Sequence, residues 1–233
     1  MTARHTHLVF DSKIGGTKPV TVVDVGHKCP FCNRDELTGI IAADGPLLLI
    51  ANKYPVLQET FQTVLIETED CTGELSLYPK DHLYRLIRFG TRNWLDMIAG
   101  GEFTSVLFFK NHGPNSGGTI CHPHMQIVGL RHIDYTANIP PESLAGSVIS
   151  SNGGVTLSIA DKPLIGFVEL NVRLTDLGQI YCMADYLQIC AHYLLNHFNR
   201  YCNSYNIFFY NINGQITAKV MPRFVTSPIF VGY

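Results

Sequence analysis

Apolar residues fall into short continuous runs and two longer stretches with helical spacing. LLLIAN at 47–52 and TVLIE at 63–67 read as strands on either side of a turn containing Pro55. From Lys80 to Ala99, Leu83, Leu86, Ile87, Trp94, Leu95 and Ile98 recur mainly every three or four residues. That spacing predicts an amphipathic helix, with Pro79 at its first turn and Gly100-Gly101 after its end. TSVLFFKN at 104–111 is an apolar strand, followed by a glycine-rich loop and a strand from His124 to Leu130.

The order then recurs. VTLSIA at 155–160 and LIGFVELNV at 164–172 read as strands joined at Asp161-Lys162-Pro163. Over 185–202, Leu187, Cys190, Ala191, Leu194, Phe198 and Tyr201 share one helical face. Strands NIFFYN at 206–211 and ITAKVM at 216–221 follow, turned at Asn213-Gly214. Strand, strand, long helix, strand, strand thus occurs twice. The expectation is an α+β fold made by duplication of one unit, an antiparallel sheet with one long helix per repeat. Its parts are a lead-in arm at 1–28, a first repeat at 29–137, a link at 138–154 marked by Pro140-Pro141 and Gly153-Gly154, and a second repeat at 155–233.

Composition narrows the function. With 46% hydrophobic and 15% charged residues the chain reads as a buried globular core, not a disordered one. A formal net charge of -2 gives no footprint for nucleic acid or an anionic membrane. No apolar run approaches the roughly 18 residues of a membrane span. Asp11 and Lys13 interrupt the N-terminus before a secretory core can form, so a cytoplasmic protein with reduced thiols is expected. The 7 cysteines are irregularly spaced, and Cys29-x-x-Cys32 reads as metal or redox chemistry.

The informative block runs from Asn111 to Gln126, NHGPNSGGTICHPHMQ. On an extended strand His122, His124 and Gln126 project to one face. The glycine and hydroxyl residues from Asn115 to Thr119 offer backbone N–H groups for an anion nest. A bare H-x-H could be a satisfied core pair, but the loop, Gln126 and the upstream cysteine pair together point to a site.

This block resembles the active-site segment of the galactose-1-phosphate uridylyltransferase family, a branch of the histidine-triad (HIT) superfamily marked by H-P-H-x-Q. Asn111 precedes the H-P-H at that family's interval. Cys29-Pro-Phe-Cys32 is similar to its zinc-binding C-P-x-C, Asn52-Lys53-Tyr54-Pro55 to its N-D-[FY]-P segment, and Phe230 to Tyr233 to a segment near its C-terminal end. The resemblance is to compact bacterial relatives more than to the full-length uridylyltransferase.

The resemblance implies a nucleotidyltransferase working by double displacement. His124 would be the nucleophile, forming a nucleotidyl-histidine that an acceptor phosphate then attacks. Its other ring nitrogen would be fixed by a backbone carbonyl, and Gln126 would donate to a phosphate oxygen. Histidine at the position of Gln126 marks hydrolases, so glutamine favours a leaving group that needs no proton. Asn52, Asn111, Gly117, Gly118 and Thr119 match the nucleotide and phosphate contacts; Lys53 replaces the aspartate that meets the ribose. Zinc would be held by Cys29, Cys32, His122 and, where the family has histidine, Cys71, a Cys₃His set stapling the N-terminal half. Redox use of Cys29/Cys32 and Cys71 as an ordinary buried thiol are the alternatives. The second repeat has no histidine in its last two strands and reads as catalytically silent. His192 and His197 on its helix read as solvated, and Arg223 as a surface side chain that could reach phosphate. Expected partners are a nucleotide or nucleotide sugar, a sugar phosphate or phosphate acceptor, and a second copy in a homodimer. The alternatives are a phosphorylase or hydrolase of dinucleoside polyphosphates or nucleotide sugars, and a nucleotide-sensing protein that turns over poorly.

Overall fold

The computed structural model describes residues 7–21, 29–165 and 168–224. Its strands are β1 (Ile40–Asp44), β2 (Leu47–Ala51), β3 (Thr60–Ile66), β4 (Ser105–His112), β5 (His124–Leu130), β6 (Gly146–Asn152), β7 (Val155–Ala160), β8 (Leu170–Leu174), β9 (Ser204–Ile212) and β10 (Gln215–Arg223). They form one 10-stranded antiparallel sheet in the order β1-β2-β3-β5-β4-β9-β10-β8-β7-β6. Outward from the central β4–β9 pair, the two halves have the same strand order and connections. Short helices α1 (Ser12–Gly15) and α3 (Pro141–Leu144) accompany the long α2 (Lys80–Ala99) and α4 (Ile180–Tyr193). The fold is α+β, as the alternation of runs predicts.

Both long helices cover one face of the sheet. Leu83, Leu86, Ile87 and Trp94 of α2 and Met183, Leu187 and Cys190 of α4 share one core with Phe108, Ile127, Ile207 and Val220. The strand period of two sorts β4: Val106 and Phe108 enter this core, while Leu107 and Phe109 pack on the opposite face. At the seam Phe108 and Phe209 stack with centroids 4.3 Å apart, and the Trp94 ring leans on both at 5.8 and 6.3 Å. The Trp94 indole N–H donates to the Val106 carbonyl at 2.9 Å. A methyl on Gly90 would come within 2.7 Å of the Phe108 ring, so glycine lets α2 lie close to β4. The helices are also tied to one another, the Tyr84 hydroxyl donating to Asp185 at 3.0 Å, and the Gln188 amide of α4 donates to the Leu75 and Tyr78 carbonyls in the turn that leads into α2.

Most predicted elements are present, with four differences. The sheet edges β1 and β6 lack a clear alternation because both are half-exposed: Ile40, Ile41, Val148 and Ile149 face solvent. The stretch 138–154 therefore contains α3 and β6 as well as turns. The strand expected at 164–172 is Leu170–Leu174, and just before it the buried Glu169 carboxylate accepts the Ile165 N–H at 2.9 Å. The second helix spans Ile180–Tyr193 with a π-turn at Leu194–Phe198. It begins early because Asp176 caps the preceding turn through the Gly178 N–H, and it ends where Asn199 becomes extended. His5 and the segment Phe230 to Tyr233 lie outside the described residues. Among the described residues no helix is long and apolar enough to cross a membrane.

The seam stack should dominate stability. Phe209→Ala is expected to cost about 3–5 kcal/mol, the range for deleting a buried phenyl ring. Urea unfolding checks it, and a cost below about 1 kcal/mol would show that the halves do not depend on this contact.

Candidate active site and metal centre

The site lies on the face opposite the helices, at the start of β5. β5 lies between β3 and β4, with His124 opposite Ile66 and Gln126 opposite Val64 and Phe109. Cys29 and Cys32 approach from the segment after the N-terminal arm, Cys71 from the loop after β3, and His122 from the loop entering β5. Their four ligand atoms all lie within 4.8 Å of one another. The His122 Nδ1 is 3.5 Å from the Cys29 sulfur and 3.7 Å from that of Cys32. Its Nε2 lies 2.9 Å from the Thr68 carbonyl, which can only accept, so the proton sits on Nε2 and Nδ1 presents a lone pair to the thiols. Burial, and then the adjoining thiols, push Cys71 above the ordinary thiol range, and burial does the same to Cys29. A divalent cation would reverse that, since thiolates are its ligands. The cluster can hold a metal ion, and three sulfurs with one imidazole make a common zinc set. Cys71, open in the sequence between ligand and buried thiol, sits in the cluster.

Two residues on, the His124 Nδ1 is 2.8 Å from the His122 carbonyl and donates to it. Nε2 is therefore the unprotonated nitrogen. His124 is 7% exposed, and burial, with lesser help from the charges of Lys110 and Lys18, lowers its pKa to about 4 against the pull of that carbonyl. The ring is neutral at pH 7, the form a nucleophile needs. Phe31, between the two N-terminal cysteines, sets its ring edge-on to both imidazoles, 5.8 Å from His122 and 5.7 Å from His124. On the far side of the sheet, Lys110 and Glu67 form an ion pair with both side chains at most 1% exposed, and the Tyr78 hydroxyl donates to Glu67 at 3.0 Å. The Glu67 N–H binds the Pro123 carbonyl at 3.1 Å, fixing the backbone between the two histidines.

His124 and Gln126 open onto a cleft of about 470 Å³, walled by Leu37 to Gly39, Ile50 to Tyr54, Gly117 to Ile120, Phe31 and Lys18. The glycine loop is built from both halves of the chain. Gly113 has φ +82, and a Cβ there would meet the Asn203 carbonyl at 2.3 Å. The Asn115 N–H donates to the Ser204 hydroxyl at 3.0 Å. The Ser116 hydroxyl donates to the Gly113 carbonyl and accepts the Gly118 N–H at 3.3 Å. Among the described residues the amides of Gly117 (φ +87) and Thr119 have no such partner. The arm closes the loop: the Thr21 N–H donates to the Thr119 carbonyl at 2.8 Å, and the Cys121 N–H to the Thr21 hydroxyl at 3.0 Å.

The predicted residues converge with two qualifications. Asn52 lines the cleft, but its Oδ1 accepts the Tyr54 N–H, leaving the amide nitrogen to face a ligand. Asn111 lies beneath the loop, where its Oδ1 accepts the Asn206 amide at 2.6 Å; the same amide reaches the Ser116 carbonyl at 3.0 Å. Lys53 is exposed above the Tyr54 ring. His192 and His197 lie exposed at the far end of α4, apart from the cluster. Three contributors escaped the sequence reading. Lys18 brings a half-buried ammonium, its pKa lowered by burial, to the cleft from an arm with no motif. Phe31 stood inside the C-P-F-C without a role. Asn206, a polar residue opening an apolar strand, was the one visible signal of the second half's part in the loop.

The fold is that of the galactose-1-phosphate uridylyltransferase-like proteins: a galt-like protein from Arabidopsis thaliana shares it at TM-score 0.67 and 16% identity over 87% of this chain and 83% of that one. The chain belongs to the DUF4931 family: residues 10–133 match its N-terminal domain and 136–233 its C-terminal domain, each described as a domain of unknown function. A DUF4931 family protein from Bacillus cereus ATCC 10987 is 44% identical, with a TM-score of 0.80 over 83% of this chain and 89% of that one. An ADP-glucose phosphorylase from Arabidopsis thaliana, solved with bound ADP-glucose, shares the fold at TM-score 0.67 and 15% identity over 95% of this chain and 90% of that one. Diadenosine 5',5'''-P1,P4-tetraphosphate phosphorylase 2 of Saccharomyces cerevisiae is 31% identical over 109 residues, 43% of this chain and 31% of its own length. The chain spans less than a third of the curated relatives it matches.

Titration with Co²⁺ tests the cluster. The protein is expected to bind one equivalent with a near-ultraviolet thiolate-to-cobalt band, and Cys71→Ser to lose about a third of it, since one of three thiolates goes. An unchanged band would remove Cys71 from the ligand set.

Proposed function

We propose that the protein is a nucleotidyltransferase that moves a nucleoside monophosphate between phosphate-bearing small molecules through a covalent intermediate on His124. The observation that carries this reading is the His124 Nδ1 bond to the His122 carbonyl, which leaves Nε2 unprotonated in a cleft bordered by the glycine loop. In the first step Nε2 attacks the α-phosphorus of the donor. An N–P bond forms, the bond from α-phosphorus to the bridging oxygen breaks, and the leaving group departs as a phosphate anion without a proton. The Nδ1 proton stays on the ring, and the carbonyl supports the positive charge that develops there. In the second step an acceptor phosphate oxygen attacks the same phosphorus and the N–P electron pair returns to Nε2. Gln126, the Gly117 and Thr119 amides and the Lys18 ammonium would stabilise the charge on the non-bridging oxygens. Asn111 would act by holding the loop. Zinc at Cys29, Cys32, Cys71 and His122 would supply rigidity to the strand that presents His124.

Within this reading, 29–137 is a catalytic histidine-triad-like repeat and 155–233 its silent counterpart. A second version, with inorganic phosphate as acceptor, is favoured by the resemblance to two proteins named phosphorylases.

Intact-mass measurement after incubation with nucleotide sugars and dinucleoside polyphosphates tests the proposal. A gain of one nucleoside monophosphate is expected, absent in His124→Ala. Chasing with a sugar phosphate or with inorganic phosphate identifies the acceptor. Binding of donors without any adduct would replace the transferase by a nucleotide sensor. Lys18→Ala is expected to lower kcat/KM roughly 10- to 100-fold, the worth of one charged hydrogen bond; an unchanged value would take Lys18 out of the site.

A further inference from the structure

The second half has a cavity of its own, on the same face of the sheet as the His124 cleft and related to it by strand register. Phe108 of β4 faces Phe209 of β9; Ile127 pairs with the first and Ala218 with the second. Stepping along β5 and β10 from that pair, Gln126 corresponds to Thr217 and His124 to Gln215. Across the ladders, Val64 opposite Gln126 corresponds to Arg173 opposite Thr217. Arg173, Gln215 and Thr217 line a cavity of about 530 Å³, with Ile139, Leu144 and Ile212 as its apolar wall. The His124 cleft measures about 470 Å³.

Two features keep this cavity open and cationic. Residues 113–123 join β4 to β5 and roof the first cleft, whereas β9 and β10 are joined by Asn213-Gly214 alone, both with positive φ. The β9–β10 connection therefore does not fold over the second cavity, whose wall comes instead from residues 136–145 after β5. Arg173 is the one ionised side chain among the lining residues and makes no hydrogen bond or ion pair among the described residues. Lys219, two residues beyond Thr217 on β10, and Glu169, four before Arg173, are fully buried and paired with each other at 2.8 Å. A guanidinium beside a hydroxyl and an amide suits a phosphate monoester, and the apolar wall suits a ring attached to it.

We propose that this cavity binds a phosphorylated small molecule of nucleoside-monophosphate size, without reacting with it, since Gln215 stands where the other half has His124. The site is separate from the transfer reaction and does not depend on it.

Equilibrium dialysis with AMP, and with inorganic phosphate as competitor, tests this on the full chain. His124→Ala, which cannot form an adduct, is expected to keep a saturable AMP site that Arg173→Ala weakens at least about tenfold and Arg173→Lys weakens less. This weakening on Arg173→Ala is expected whether or not the His124 cleft binds AMP, so failure of the transferase reading is read separately. Inorganic phosphate is expected to displace AMP from this site only in large excess. Unchanged AMP binding in Arg173→Ala would overturn the proposal, as would displacement by phosphate as easily as by AMP itself.

Discussion

His122 is the constraint on which the site rests. Its ring is completely buried and divides its two nitrogens between the thiols and the Thr68 carbonyl, while its own carbonyl holds the Nδ1 of His124. One residue thus joins the Cys₃His cluster to the candidate nucleophile through a single peptide unit. The join is rigid because the Pro123 ring fixes φ between them, and because the Pro123 carbonyl is tied to the N–H of Glu67. The buried Lys110–Glu67 pair behind it is costly to form, but with its partners present it holds that N–H in place. Metal binding and the tautomer of His124 are consequently two readings of one piece of geometry.

The two halves share a strand order but not a chemistry. The first spends its β4–β5 connection on a glycine loop; the second closes the same place with a two-residue turn. Yet the second half is not a passive filler. Asn203, Ser204 and Asn206 carry the hydrogen bonds that shape the loop, so the glycine loop of one half is set by side chains of the other. Had the chain kept only the first half, β4 would be an unpaired edge and Asn111 would lose its partner.

The central strands, both long helices and the residues around His124 were legible because each combined a clean period with a distinctive residue set. H-P-H-x-Q read as one strand face; β5 displays His124 and Gln126 that way, whereas His122 stands in a bend before the strand begins, where it turns to the thiols. The Cys₃His cluster needed a resemblance to bring in Cys71, since nothing in TVLIETEDC marks a thiol that folds back by 42 and 39 residues onto Cys29 and Cys32. Edge strands β1 and β6 escaped because water covers the positions where an apolar alternation would otherwise appear. Lys18 escaped for another reason: its position depends on Thr21 docking on the loop, a contact 100 residues distant in sequence.

The β4–β9 seam also sets a clock. Asn111 and Asn206 are 95 residues apart in the chain. At synthesis rates of about 5–20 residues per second, β4 emerges from the ribosome roughly 5–20 s before its neighbour exists. During that interval the nascent first half shows a bare strand edge with Phe108 lacking its stacking partner, the kind of surface that invites pairing with another chain. Closing the sheet in its middle, instead of at its rim, therefore leaves the stacked aromatic seam of the core waiting longest for its partner.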